Sequence, residues 1–149
     1  MGLPNSEKEL ISIGASVAVG CEMCVDVHVR DAHRFGVKDE SIERVLAIAL
    51  DLRDEATRLI RRRGLRALGM RVLGRDTDED PSPPLASQAS RSDQLVSVAA
   101  AFALNCDPAL ERHVALARDL GVTEDELKRT VGLAKFVRGK AESLCCKWI

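Results

Sequence analysis

Three observations predict an all-α fold. Apolar residues recur at three- and four-residue spacing along most of the chain. Strand-like alternation is missing, and clusters of β-branched residues are short. The chain also repeats itself: two stretches of helical pattern overlay without a gap at a shift of 85 residues.

The elements follow in order. Ser6 with Glu9 three residues later has the spacing of a capping box, and a helix runs from there to about Val19 with Leu10, Ile13 and Val17 at helical spacing. A second helix runs from the Gly20–Cys21 junction to about Arg34, and Gly36 is placed to end it in a left-handed conformation. A third spans about Asp39 to Arg63, with Ile42, Val45, Leu46, Ile48 and Ala49 inward and Gly64 as its stop. The arginines Arg58, Arg61, Arg62, Arg63, Arg66 and Arg71 read as a solvated face or a docking patch for an acidic partner. Residues 76–92 are rich in Pro, Ser and Asp and lack an apolar face, which is the composition of a linker or surface loop. The helical pattern returns at about Asp93. The expected organisation is therefore a first repeat over 1–75, a linker over 76–92 and a second repeat over 93–149, packed as one domain about a pseudo-twofold axis.

The shift of 85 lays Cys21 on Cys106, His28 on His113, Gly36-Val37 on Gly121-Val122, and Arg44 on Arg129. Two units are too few for a solenoid. Positions shared by both units serve packing and caps. Positions that differ are better candidates for chemistry: Glu9 becomes Gln94, Met23 becomes Pro108, and Cys24 becomes Ala109.

Composition narrows the function. The 149 residues carry 22 Lys and Arg against 23 Asp and Glu, so no net charge draws the chain to nucleic acid or a membrane surface. Three Phe, one Trp and no Tyr make an aromatic base-stacking platform unexpected. No apolar run is long enough to cross a bilayer. The opening residues lack the basic-then-apolar pattern of a secretory signal, so a cytoplasmic location is expected. Five cysteines, an odd number, speak against a disulfide framework and for thiols that react or bind metal.

Those thiols concentrate in the first repeat. Cys21 and Cys24 are three apart at a helix start, with His28 four residues beyond Cys24. A helix N-terminus stabilises thiolate, the species that attacks peroxides and disulfides, and His28 one turn along is placed to move a proton. Glu9, one helix earlier, completes a relay. Three other readings compete. The cysteines can serve as small buried apolar residues. Cys21, Cys24 and His28 can furnish three zinc ligands, with Glu9 or a later cysteine as the fourth. Glu9 can act only as a cap, and His28 can be partly structural, since histidine persists at His113. Cys106 reads as a core residue at a helix start and His33 as a solvated histidine. Cys145 and Cys146 read either as surface thiols or as an accessory pair that reduces the main dithiol.

Glu9, then C-x-x-C-x-x-x-H at Cys21, Cys24 and His28, then Gly36 followed by a helix, resembles the alkylhydroperoxidase D and carboxymuconolactone decarboxylase superfamily. The resemblance spans about residues 6–60, with 92–142 as a degenerate copy. It implies an all-α, homo-oligomeric two-repeat fold, often trimeric, and peroxidase or disulfide-reductase activity with no cofactor. Substrates would be hydroperoxides or disulfides, and a cellular dithiol would be the reductant. The resemblance makes Cys24 the attacking thiol and Cys21 the resolving one, with Glu9 and His28 as proton relay. Two features depart from alkylhydroperoxidase D: Met23 stands where it has histidine, and the dithiol is in the first repeat rather than the second. The family's decarboxylases lack the dithiol, so Cys21 and Cys24 argue against lyase chemistry.

Overall fold

The computed structural model describes residues 2–70 and 89–149. Among these, all regular structure is helical: α1 (Asn5–Val19), α2 (Glu22–Arg34), α3 (Asp39–Ala67), α4 (Arg91–Ala103), α5 (Asp107–Asp119) and α6 (Glu124–Cys146). None of these helices is long and apolar enough to cross a membrane.

The first three helices and the last three repeat one arrangement. α2 and α5 are both 13 residues long and start 85 residues apart, as do α3 and α6. α1 packs on α2, α3, α4 and α6, while α4 packs on α5, α6, α1 and α3. This is the contact pattern of two units related by a twofold. The two axial helices, α1 and α4, are buried almost all round. Ile11 to Ser16 and Asp93 to Ala101 are buried or nearly so. A helix surrounded by protein needs small or apolar side chains on every face, and Ala15, Ser16, Ala99, Ala100 and Ala101 provide them. Ser16 and Ser97 satisfy their hydroxyls by donating to the carbonyls of Ser12 and Asp93, one turn back.

Polar contacts tie the units together. The Ser92 hydroxyl donates to Glu7 Oε1 at 2.6 Å. These two residues are equivalent under the repeat, so the twofold passes between them. Arg91 bridges Glu7 and Glu126. Arg44 on α3 grips Asp93 on α4 through both Nε and Nη2. Burial would raise the Asp93 pKa, but hydrogen bonds from Arg44 and from Ser90 outweigh it and hold the carboxyl below its ordinary value.

Several boundaries differ from the sequence reading. Ser6 and Glu9 form no capping box. Pro4 occupies the N-cap position without a side-chain cap, and the Glu9 carboxylate is drawn to His28 instead. Gly64 does not stop α3, which runs on to Ala67. One mid-helix glycine costs about 1 kcal/mol relative to alanine, and the left-handed turn falls at Gly69 (φ 71°). Arg62 is buried, so it does not belong to a solvated face. Helix returns at Arg91 rather than Asp93, because Ser90 and Asp93 cap each other reciprocally. Most of the expected linker, 76–88, and Arg71 lie outside the described residues.

The axial helices pack tightly at Gly14, where an added Cβ would lie 2.7 Å from Val96 Cγ1. Gly14→Ala gains about 1 kcal/mol of helix propensity and loses about 1–3 kcal/mol to overpacking. The expected net loss is about 1 kcal/mol, read as a lower urea midpoint. Adding Val96→Ala reopens the space, so the double variant should be more stable than the sum of its singles predicts.

Candidate active site

The site is built where α1 hands over to α2. Gly20 takes a left-handed φ of 75°, which lets the Gly20 and Cys21 amides donate back to Val17 and Ser16 carbonyls. Arg53 on α3 adds a hydrogen bond to the Val17 carbonyl at 2.7 Å. The sharp turn leaves Cys21 as the N-cap of α2, where its Sγ accepts from the Cys24 amide at 3.2 Å. The two cysteines are joined by a disulfide, with their Cα atoms 5.2 Å apart. Cys24 is buried at 5 % exposure, whereas Cys21 is only half-buried. The outer sulfur thus faces the unpaired N–H groups of a helix start, which favour negative charge.

His28 lies one turn along α2 from Cys24, and its Nδ1 is 2.7 Å from Glu9 Oε2 on α1. Both side chains are less than a fifth exposed. Nδ1–H donating to the carboxylate leaves Nε2 as the nitrogen free to exchange a proton. The structure therefore brings the four predicted residues into one corner: Glu9 and His28 as a bonded pair, Cys21 and Cys24 as a disulfide on the same helix. His33 is exposed and bonds Asp39. Among the described residues, no group of three or more His, Cys, Asp or Glu is arranged to hold a metal ion.

The second half keeps the geometry and changes the charge. Asn105, at φ 52°, replaces Gly20, and Cys106 again occupies the helix N-cap. Cys106 is buried and has no disulfide partner, since Ala109 stands at the position of Cys24. Burial pushes its thiol pKa up. His113 Nδ1 lies 2.7 Å from Gln94 Oε1, the same distance as in the first pair. A neutral amide oxygen accepts from Nδ1–H, while Arg112 approaches Nε2 at 3.4 Å. Burial and the Arg112 charge, opposed by Glu55, lower the His113 pKa to about 4. The Arg112 guanidinium is itself gripped by both oxygens of the buried Glu55.

One part of the site carried no sequence signal. A cleft of about 620 Å³ opens in front of Cys21, walled by Glu22 and Met23 on one side and by Arg138, Ala141 and Cys145 of α6 on the other. Its far wall comes from the opposite half of the chain. Only the repeat register, which sets α6 against α1, could have indicated it.

A sequence model of the carboxymuconolactone decarboxylase family matches residues 1–59 and 90–144. Those stretches include Glu9, Cys21, Cys24 and His28 and their counterparts Gln94, Cys106, Ala109 and His113. No curated protein matches the chain.

The buried neutral histidine has a pH signature. Unfolded, His113 takes up a proton near 6.5; folded, it does so only near 4. The unfolded state therefore binds more protons between these values, and the histidine's contribution to stability is lost as pH falls from above 6.5 to about 4. His113→Asn should flatten that part of the stability-against-pH curve, by up to about 3 kcal/mol. Urea titrations at pH 7.5 and 4.5 provide the check, and identical pH slopes in both proteins would contradict it.

Proposed function

The chain belongs to the carboxymuconolactone decarboxylase family, and we propose that it acts there as a thiol-dependent peroxidase or disulfide oxidoreductase. One observation carries the reading. The Cys21–Cys24 disulfide stands on the same helix as a carboxylate-bonded histidine, and only this half has the second cysteine and the carboxylate. Lyase chemistry has no use for a dithiol that opens and closes.

Cys24 thiolate attacks the outer oxygen of a hydroperoxide. The O–O bond breaks, the alcohol leaves with a proton delivered through His28, and Cys24 becomes a sulfenic acid. Glu9 holds the His28 ring in one tautomer and supports its positive charge. Cys21 thiolate then attacks Cys24 Sγ, water leaves, and the observed disulfide results. A partner disulfide would enter by the same thiolate attack. A cellular dithiol restores both thiols, and the half-buried Cys21 is the sulfur it can reach. The reaction requires no cofactor. Residues 1–75 and 93–149 act as one packed pair of repeats joined through 76–92, in the cytoplasm. Exposed Met23, Leu50, Ile60 and Phe136 supply apolar surface for a homo-oligomer, with a trimer favoured.

One equivalent of hydroperoxide should lower the mass of the reduced protein by about 2 Da, the two hydrogens lost on forming one disulfide, and remove two free thiols. Cys24→Ser should abolish turnover. Cys21→Ser should stop at a sulfenic acid or mixed disulfide. Glu9→Gln copies the second half's own residue and should slow turnover by roughly 10²-fold. Cys106→Ser should cost little. Full activity in Cys24→Ser, or stoichiometric zinc held by Cys21 and Cys24, would replace this reading with a metal-binding one. Light scattering at micromolar concentration should report an oligomer, and a monomer would refute that part.

A further inference from the structure

We propose that Cys145 is a relay thiol that opens the Cys21–Cys24 disulfide by forming a Cys21–Cys145 mixed disulfide within one chain. The proposal rests on the reading that this dithiol cycles between oxidised and reduced forms.

Three observations support it. First, Cys21 and Cys145 line the same cleft of about 620 Å³, although they come from opposite halves. Cys145 is a free, exposed cysteine in the last turn of α6. Second, the disulfide is unequal: Cys24 is buried and Cys21 is the sulfur nearer solvent. An attacking thiol that reaches the disulfide from the cleft meets Cys21. Third, the molecule contains a second cleft of about 460 Å³ that serves as a comparison. It is formed by Cys106, Asp107 and Pro108 against Ala56, Leu59 and Ile60 of α3. The repeat register carries Ala56 onto Ala141, Leu59 onto Leu144 and Ile60 onto Cys145. The two clefts are duplicates. The one beside the lone Cys106 is walled by isoleucine, and the one beside the dithiol is walled by a thiol.

The chemistry is a pair of thiol–disulfide exchanges. Cys145 thiolate attacks Cys21 Sγ, the Cys21–Cys24 bond breaks, and Cys24 leaves as thiolate and takes a proton. An external dithiol then attacks the exposed Cys145 Sγ of the mixed disulfide and releases Cys21 thiolate. Its second thiol attacks the sulfur that is now bonded to Cys145. Cys145 is freed, and the external dithiol leaves as its own disulfide. Two electrons and two protons pass from the external dithiol to Cys21 and Cys24, and Cys145 ends unchanged. Cys146 does not line the cleft and has no part in the relay.

The step can be trapped in the full-length chain without peroxide. In Cys24→Ser, the mixed disulfide has no thiolate to reverse it. One equivalent of 5,5′-dithiobis(2-nitrobenzoate) should release both thionitrobenzoates and leave an intrachain Cys21–Cys145 link, identified by peptide mass mapping. The link should vanish in Cys24→Ser/Cys145→Ser and persist in Cys24→Ser/Cys146→Ser. Should Cys24→Ser not fold, Cys24→Ala carries the residue already present at Ala109. A second measurement uses the native disulfide. With a thioredoxin-class dithiol at micromolar concentration, Cys145→Ser should slow its reduction by roughly tenfold, because the reductant must then attack the half-buried Cys21 directly instead of the exposed Cys145 sulfur. A stable thionitrobenzoate adduct, a link only to Cys146, a link only between chains, or an unchanged reduction rate would each overturn the proposal. Failure of the hydroperoxide titration would instead remove the peroxidase reading and leave the trapped link intact.

Discussion

The fold depends on the back-to-back packing of α1 and α4 along the pseudo-twofold. Two helices buried on nearly every face need small residues on one to make room for larger side chains on the other, and Gly14 does so for Val96. All else hangs on this pair. α2 and α3 wrap one axial helix, α5 and α6 the other, and each third helix reaches across to the opposite axial helix. The same constraint fixes the chemistry. Glu9 projects from α1 and Gln94 from α4, so each sits on the most buried helix of its half and faces the histidine of the next helix.

The duplication provides a comparison inside one molecule. Histidine Nδ1 meets a side-chain oxygen at 2.7 Å in both halves. In the first half that oxygen is a carboxylate at an accessible corner, able to support an imidazolium. In the second it is a neutral amide, and burial together with Arg112 holds His113 deprotonated down to about pH 4. A carboxylate partner carries a charge that a neutral amide lacks. His113, held neutral, serves as a polar fastener between helices. The change from carboxylate to amide accompanies the absence of the second cysteine, replaced by Ala109.

The paired clefts extend this comparison to the surface. Each is made by the cysteine turn of one half and the long third helix of the other, so neither half has a complete cleft alone. The inner sulfur, Cys24, is shielded and lies one turn from His28, whereas the outer sulfur, Cys21, faces helix amides and the cleft. In the proposed redox cycle, that inequality separates two tasks a single exposed thiol would confuse: reacting with a small oxidant, and exchanging with a bulky reductant.

The sequence by itself determined the helical class, the repeat and its register, the left-handed turn at Gly36, and the placing of Cys21, Cys24 and His28 along one helix. These are legible because they are local. Helical spacing, turn glycines and an i,i+4 offset are fixed within a few residues by backbone geometry. The tertiary structure decided what depended on partners distant in the chain. Glu9 caps nothing, because a histidine on the next helix competes for its carboxylate. Gly64 continues a helix that runs on to Ala67. Arg62 is buried despite its charge. Sequence left Cys145 and Cys146 as either surface thiols or an accessory pair; Cys145 alone shares a cleft with Cys21, because the twofold lays α6 across α1. Which charges are desolvated and which sulfurs are exposed is set by the packing of whole helices, and local pattern carries no record of it.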